Sequence, residues 1–389
     1  MPARTVRFAI TLAFLGLAAS ARAADTPVVT LVGTPNSGLQ PVVATDSEGG
    51  LHVLYFQGEP AAGDLFYVRS RPGTVAWTKP VRVNSEPKSA IAMGTIRGGQ
   101  LAIGREGRVH VAWNGSGKGA TKNAFGSTPM LYARSNTDRT AFEPQRNVMK
   151  RTSALDGGGS ISADQSGNVY VSWHGRTEDA GDAETGRQLY VAHSNNDGET
   201  FADEAQALKR PTGACACCGT TSLADRDGNV YVLFRAAITT SDRDLYLASS
   251  RDQGKSFAGT SIHPWKIDAC PMSSESLAES GGGVIAAWET AGQVYFAKID
   301  AKTGKVSAPT APAGGGGRKH PSVAVNAKGE VLLAWAEGTG WQRGGSLCWQ
   351  VFDGKGKPVG SPGSLKAGIP TWSLPAAASR PDGSFVILH

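Results

Sequence analysis

Gly107-Arg-Val-His-Val-Ala-Trp113, Gly167-Asn-Val-Tyr-Val-Ser-Trp173 and Gly228-Asn-Val-Tyr-Val-Leu-Phe234 are three copies of one phrase: a turn glycine, a strand and a closing aromatic. Alternation of period two, rich in β-branched and aromatic residues and bounded by Gly and Asp turns, is a strand signal. The phrase recurs as Gly50-Leu-His-Val-Leu-Tyr55, Gly283-Val-Ile-Ala-Ala-Trp288, Gly329-Glu-Val-Leu-Leu-Ala-Trp335 and, more weakly, Gly383-Ser-Phe-Val-Ile-Leu388. The copies follow one another at about 47 to 61 residues, the length of a propeller blade.

Each phrase has a weaker strand of small residues before it, such as Pro321-Ser-Val-Ala-Val325, and six of the seven have another strand after it, such as Leu131-Tyr-Ala-Arg-Ser135 or Leu245-Tyr-Leu-Ala-Ser-Ser250. Small residues suit the innermost strand, where blades crowd the central channel. The strand order therefore runs inner, second, third, outer along the chain. The last pair has no third strand, and Val28-Val-Thr-Leu-Val32 is expected to complete it, removing a sheet edge. These observations predict an all-β propeller of seven blades, with six as the alternative if the last pair is absorbed differently. No helical pattern follows the N-terminal segment.

That segment reads as a secretory signal peptide over residues 1–23. Arg4 and Arg7 make a basic start, Phe8 to Ala19 an apolar run, and Ala21-Arg22-Ala23 a cleavage pattern. A single domain over 24–389 and a secreted or periplasmic location are expected. No stretch reaches the roughly 20 apolar residues of a membrane-spanning helix, so membrane insertion is not expected. The 50 glycines and 21 prolines lack a triplet period and point to turns. The net charge of +6 comes from scattered residues without a basic block, so nucleic acid is not an expected partner. A monomer is expected.

After a third strand comes Ser250-Arg-Asp252-Gln-Gly254-Lys-Ser256-Phe257, with a second copy at Ser194-Asn-Asn196-Asp-Gly198-Glu-Thr200-Phe201 and worn copies at Ser70 to Trp77 and Ser135 to Phe142. This is the Asp-box, and the chain resembles the sialidase-like propellers, or BNR-repeat proteins, over its whole mature length. The box is a folding device: the Asp or Asn side chain bonds turn N–H groups and Gly supplies the permissive dihedral. It says nothing direct about catalysis.

The resemblance implies a carbohydrate or glycoconjugate ligand and, in the sialidases, an arginine trio gripping a carboxylate, a tyrosine nucleophile paired with a glutamate, and an aspartate acid/base. Ligands meet propellers where inner strands begin and second strands end. On that rim Arg176, Arg235 and Arg318 are the candidates for the trio, because the guanidinium fork pairs with carboxylate. Glu289 and Glu337 are the candidate acidic partners, though their different offsets from Trp288 and Trp335 need not aim them alike. The resemblance implies a glycoside hydrolase of the sialidase kind, but the family's Phe-Arg-Ile-Pro type motif is absent and no aspartate or tyrosine is placed, which favours the alternative of a non-catalytic binding propeller.

The competing reading rests on sulfur. Cys215-Ala-Cys217-Cys218 opens one blade and Cys270-Pro-Met272 opens the next. Four thiols permit two inter-blade disulfides, or one disulfide and two ligands, as exported chains usually pair cysteines. The alternative is a copper or zinc site on Cys215, Cys217, Cys218, Cys270 and Met272, with Met93 and His320 on the same rim. Cys348 reads as a buried free thiol, and His52 and His110 as core or inter-blade residues. No phosphate loop, Ser-His-Asp order or His-Glu-x-x-His helix occurs.

Overall fold

The computed structural model describes Met1, residues 26–181 and residues 183–389. The expected signal peptide lies outside the described residues. Among the described residues twenty-six strands form seven separate sheets, so the seven-blade count holds and the six-blade alternative falls. Among the described residues the helical elements are short 3-10 turns.

Blade 1 is Leu39–Thr45, Leu51–Glu59, Ala62–Arg69 and Val81–Arg82, and blade 2 is Gln100–Ile103, Val109–Asn114, Met130–Arg134 and Arg146–Asn147. Blade 3 follows as Ser160–Ala163, Val169–Gly175, Gln188–Ser194 and Ala205–Gln206, and blade 4 as Thr220–Ala224, Val230–Arg235, Leu245–Ser250 and Ala258–His263. Blade 5 has three strands, Glu275–Ser280, Gly283–Thr290 and Gln293–Asp300, with isolated bridges to Val306 and Thr310 in place of a fourth. Blade 6 is Arg318–Val325, Val331–Glu337, Gly345–Phe352 and Pro358–Ile369.

Blade 7 joins the two ends of the chain. Ala376–Ser379 and Phe385–Leu388 are antiparallel, and Val29–Val32 lies parallel on the latter with Val29 opposite Phe385 and Val32 opposite Leu388. Thr34 then donates its N–H and its hydroxyl to the His389 carbonyl at 2.8 and 2.9 Å. The expected closure is thus present, and it is a parallel one.

The core is divided among the blade interfaces. Each strand-ending aromatic packs on the preceding blade: Trp113 with Leu54 and Tyr67 of blade 1, Trp173 with Met130 and Tyr132 of blade 2, and Trp288 with Tyr231 and Leu247 of blade 4. Trp173 also satisfies its indole N–H on Thr152 Oγ1 at 3.0 Å. His110 reaches Asp197 of the next blade and Tyr132 of its own, and His52 bonds Tyr67 and Asp46. Cys348 is a buried free thiol.

The Asp-boxes complete these interfaces from the face opposite the rim. Asp252 Oδ1 accepts from the Ser256 N–H at 2.9 Å and Ser250 Oγ at 2.7 Å, while Oδ2 accepts from Ser256 Oγ at 2.6 Å. The Ser256 and Ser250 bonds hold its carboxyl down at about 2. Asn196 repeats the pattern with one acceptor oxygen, taking Thr200 N–H at 3.0 Å and Ser194 Oγ at 2.8 Å. The box aromatic lies edge-on to a tyrosine of the preceding blade, Phe201 to Tyr132 at 4.8 Å and Phe142 to Tyr67 at 5.7 Å. Truncating the fully buried Trp173 to Ala is expected to cost about 4 kcal/mol, and the half-buried Phe201 to Ala about 2 kcal/mol. Urea unfolding monitored by tryptophan fluorescence measures both.

Candidate functional site at the channel mouth

On the rim face each inner strand is approached through a residue with positive φ: Gln40 (49°), Thr95 (68°), Ala154 (59°), Gly213 (62°), Met272 (47°), His320 (52°) and Trp372 (64°). Six of the seven are not glycine, so each carries a local cost on the order of 1 kcal/mol.

The rim residues at the second-strand ends mostly serve as straps to the next blade. Asn114 donates to the Gly157 carbonyl at 2.6 Å, and His174 Nε2 donates to the Cys218 carbonyl at 2.9 Å. Burial holds the His174 imidazole down at about 4, against the pull of that bond, so the ring is neutral at pH 7. Arg97 pairs with Asp156 at 2.6 Å across blades 2 and 3. Arg235 is 1 % exposed. Its nitrogens donate to Ser273 Oγ at 3.1 Å, the Arg243 carbonyl at 2.8 Å and the Glu289 carbonyl, and its guanidinium lies 4.9 Å over Trp265.

Arg318 is equally committed, to Glu337 at 3.2 Å, Gln293 at 3.0 Å and the Pro312 and Ala313 carbonyls, above the Trp335 ring. Arg176 donates to the Gly181 carbonyl at 3.1 Å. Arg235 and Arg318 therefore hold protein groups with every nitrogen, where an open carboxylate clamp would leave donors facing the channel.

The two glutamates do differ in aim. Glu337 is half-buried and shared by Arg318 and the Trp335 indole. Glu289 is 1 % exposed with Oε2 unpartnered, and burial raises its carboxyl to about 7 against the pull of Lys319 and Arg235. Glu275, not anticipated from the sequence, is its buried neighbour. Both its oxygens lack a partner among the described residues, and burial pushes it well above the usual carboxylate range.

The sulfur residues do converge. Cys217 and Cys270 form a disulfide with Cα atoms 6.4 Å apart, tying the loop of blade 4 to that of blade 5. Of the alternatives open in the sequence, one disulfide plus two thiols is the arrangement found. The full five-sulfur ligand set is not, since two of its members are bonded to each other. Cys215 and Cys218 are thiols 3.3 Å apart, Cys215 lies 3.6 Å from Cys217 Sγ, and Met272 packs against all three. Burial resists ionisation of Cys218, but the hydrogen bond shared with Cys215, together with Arg235 and Ser273, outweighs it and holds the thiol at about 6; the same shared bond and burial push Cys215 up. His320 Nδ1 is engaged by Ser274 Oγ at 3.0 Å.

Beside this cluster a pocket opens between Met272, Lys319, Thr339, Trp341, Arg343 and Trp372. Trp341 is 58 % exposed and meets Trp372 edge-on at 4.6 Å. The described residues lining the pocket include no carboxylate. Trp341 and Arg343 were not singled out from the sequence. A tryptophan in the Gly338-Thr-Gly-Trp341-Gln-Arg343-Gly loop, between a second and a third strand, is the signal that was there to be read.

The architecture is that of a sialidase-like β-propeller. Two solved structures similar to this chain are the Trypanosoma rangeli sialidase in complex with the inhibitor DANA and the α-L-arabinofuranosidase Arb93A of Fusarium graminearum. The first is 10 % identical, with 78 % of this chain and 53 % of that one covered at a TM-score of 0.51. The second is 12 % identical, with 85 % and 98 % covered, also at 0.51. At such identities the likeness defines the fold alone. No family model and no curated protein matches the sequence.

The buried glutamate has a consequence for stability. Glu289 titrates at about 7 in the folded protein against 4.5 for an ordinary glutamate. The stability contributed by its protonated form is full below about 4.5 and is lost as pH rises to about 7, amounting to roughly 3 kcal/mol. Glu289→Gln is expected to flatten this part of the profile and to be more stable than the unmutated chain at pH 8. Urea unfolding of both proteins across that range measures the difference, and parallel profiles would refute it.

Proposed function

We propose that the exported protein binds an anionic carbohydrate at the channel mouth, in the pocket of Trp341, Trp372, Lys319 and Arg343. The observation that carries this reading is that pocket: an exposed Trp341 set edge-on to the half-buried Trp372 for the apolar face of a sugar ring, two cations and no acid among its described lining residues. The solved neighbours act on glycans by their names, which is consistent with a sugar ligand. Binding rather than hydrolysis is proposed, because general acid catalysis needs a carboxyl within hydrogen-bond reach of the scissile oxygen. Glu289 and Glu275 are buried below the surface, and Glu337 is engaged by Arg318.

Trp341 supplies contact area, Trp372 fixes it edge-on, and Lys319 and Arg343 select for a carboxylated or sulfated sugar. Calorimetric titration with uronate- or sialate-terminated oligosaccharides should show binding that weakens with salt. Trp341→Ala should lower affinity by about tenfold or more, as should replacing the acidic sugar with its neutral analogue. Equal affinity for acidic and neutral glycans, or an unchanged Trp341→Ala, would overturn the reading.

A further inference from the structure

The sulfur cluster between blades 4 and 5 takes no part in the glycan pocket's chemistry, yet three cysteines of 6 % exposure or less place their sulfurs within 4.8 Å of one another. Among the described residues no other group of three His, Cys, Asp or Glu side chains converges in this way. Burying polarizable thiols together costs little, but pairing two of them at 3.3 Å beside a disulfide and under a thioether gathers soft ligands at one point.

The surroundings favour an anionic sulfur centre. Ser273 donates to Cys218 Sγ at 3.5 Å, and Arg235 donates to that same Ser273 at 3.1 Å, so a buried guanidinium stands behind the sulfur. Met272 alone of these sulfur residues also lines the open pocket. It thereby connects solvent to the buried pair.

We propose that Cys215 and Cys218, with the Met272 thioether as third ligand, bind one monovalent soft metal ion, Cu(I). Thiolate and thioether donors select Cu(I) over harder ions. Zinc sites take at least three Cys, His, Asp or Glu ligands, and the Cys217–Cys270 disulfide leaves two thiols in this cluster. Metal–sulfur bonds of about 2.3 Å put two sulfurs on one trigonal or linear ion roughly 4.0 to 4.6 Å apart, so the thiols open slightly on loading, within the span of the cluster. Two S–H bonds break, three Cu–S bonds form, two to thiolates and one to the thioether, and two protons leave to solvent; no electron moves, because the ion arrives as Cu(I). The resulting centre carries one negative charge, which the Arg235 guanidinium offsets.

The test is titration of the full chain, purified without chelator or reductant, with Cu(I) buffered by bathocuproine disulfonate. One Cu(I) per chain is expected, with at least two sulfurs in the copper X-ray absorption spectrum. Cys218→Ser should lower affinity by about 100-fold, and the half-buried Met272→Leu by about tenfold. Substoichiometric binding, a nitrogen and oxygen coordination shell, or preference for Zn²⁺ overturns the proposal, as does unchanged affinity in Cys218→Ser. Should that variant not fold, Met272→Leu and the spectrum of the unmutated protein decide: unchanged affinity with fewer than two sulfurs overturns it. The outcome is independent of the glycan titration.

Discussion

The hydrophobic faces of neighbouring blades have only each other to bury against, because a single twisted sheet of this size cannot cover both of its faces. Stability in such a ring is built from nearest-neighbour interfaces, and in this protein those interfaces are fastened at up to three levels. Small inner-strand residues meet around the channel, the strand-ending aromatics fill the middle, and the Asp-box aromatics lie on tyrosines at the outer edge. At the mouth, Asn114, His174 and Arg235 each cross to the next blade. A polar residue at a second-strand end is thus first a fastening and only then a candidate for contact with a ligand.

That ordering explains what could and could not be read from the sequence. The fold was legible because its signals are local and repeated: Gly167 to Trp173 announces a strand on its own, and six further copies announce a ring. The closure was legible because Phe385–Leu388 lacked a third strand and Val29–Val32 had no blade, whereas its parallel sense needed the coordinates. The site was less so. Arg235 and Arg318 occupy rim positions as expected, but whether a guanidinium faces the channel or a neighbour's carbonyl depends on partners such as Arg243 and Pro312, which no spacing rule connects to them. The cysteines were legible as a convergence across two blades, while the division into one disulfide and two thiols needed coordinates. Glu275 was invisible because it sits among ordinary strand residues, and only its burial without partners marks it.

The rim and the Asp-box face divide the labour of the molecule. Turns on the Asp-box face also hold non-glycine residues in left-handed dihedrals, Arg139, Asp197 and Gln253, but there a neighbouring Asx side chain satisfies the turn backbone, as Asp252 does. On the rim, non-glycine residues such as Met272, His320 and Trp372 hold left-handed dihedrals. Such cost is tolerated where rigid interfaces over-determine the loop, and it fixes in advance the side chains that form the tryptophan pocket and the thioether beside the thiols. Preorganisation of this kind lowers the entropy lost when a ligand is bound.

The pairing of Val29–Val32 with Phe385–Leu388 also sets the order of events in time. The contact joins the first and last strands of the ring, the longest loop the chain can close, and non-local pairings of this kind are slow to form. A chain made from its N-terminus carries its first strand unpaired until the final four strand residues have arrived. Up to that moment the ring is open, so the last of its strands to be made acts as the latch on every interface before it.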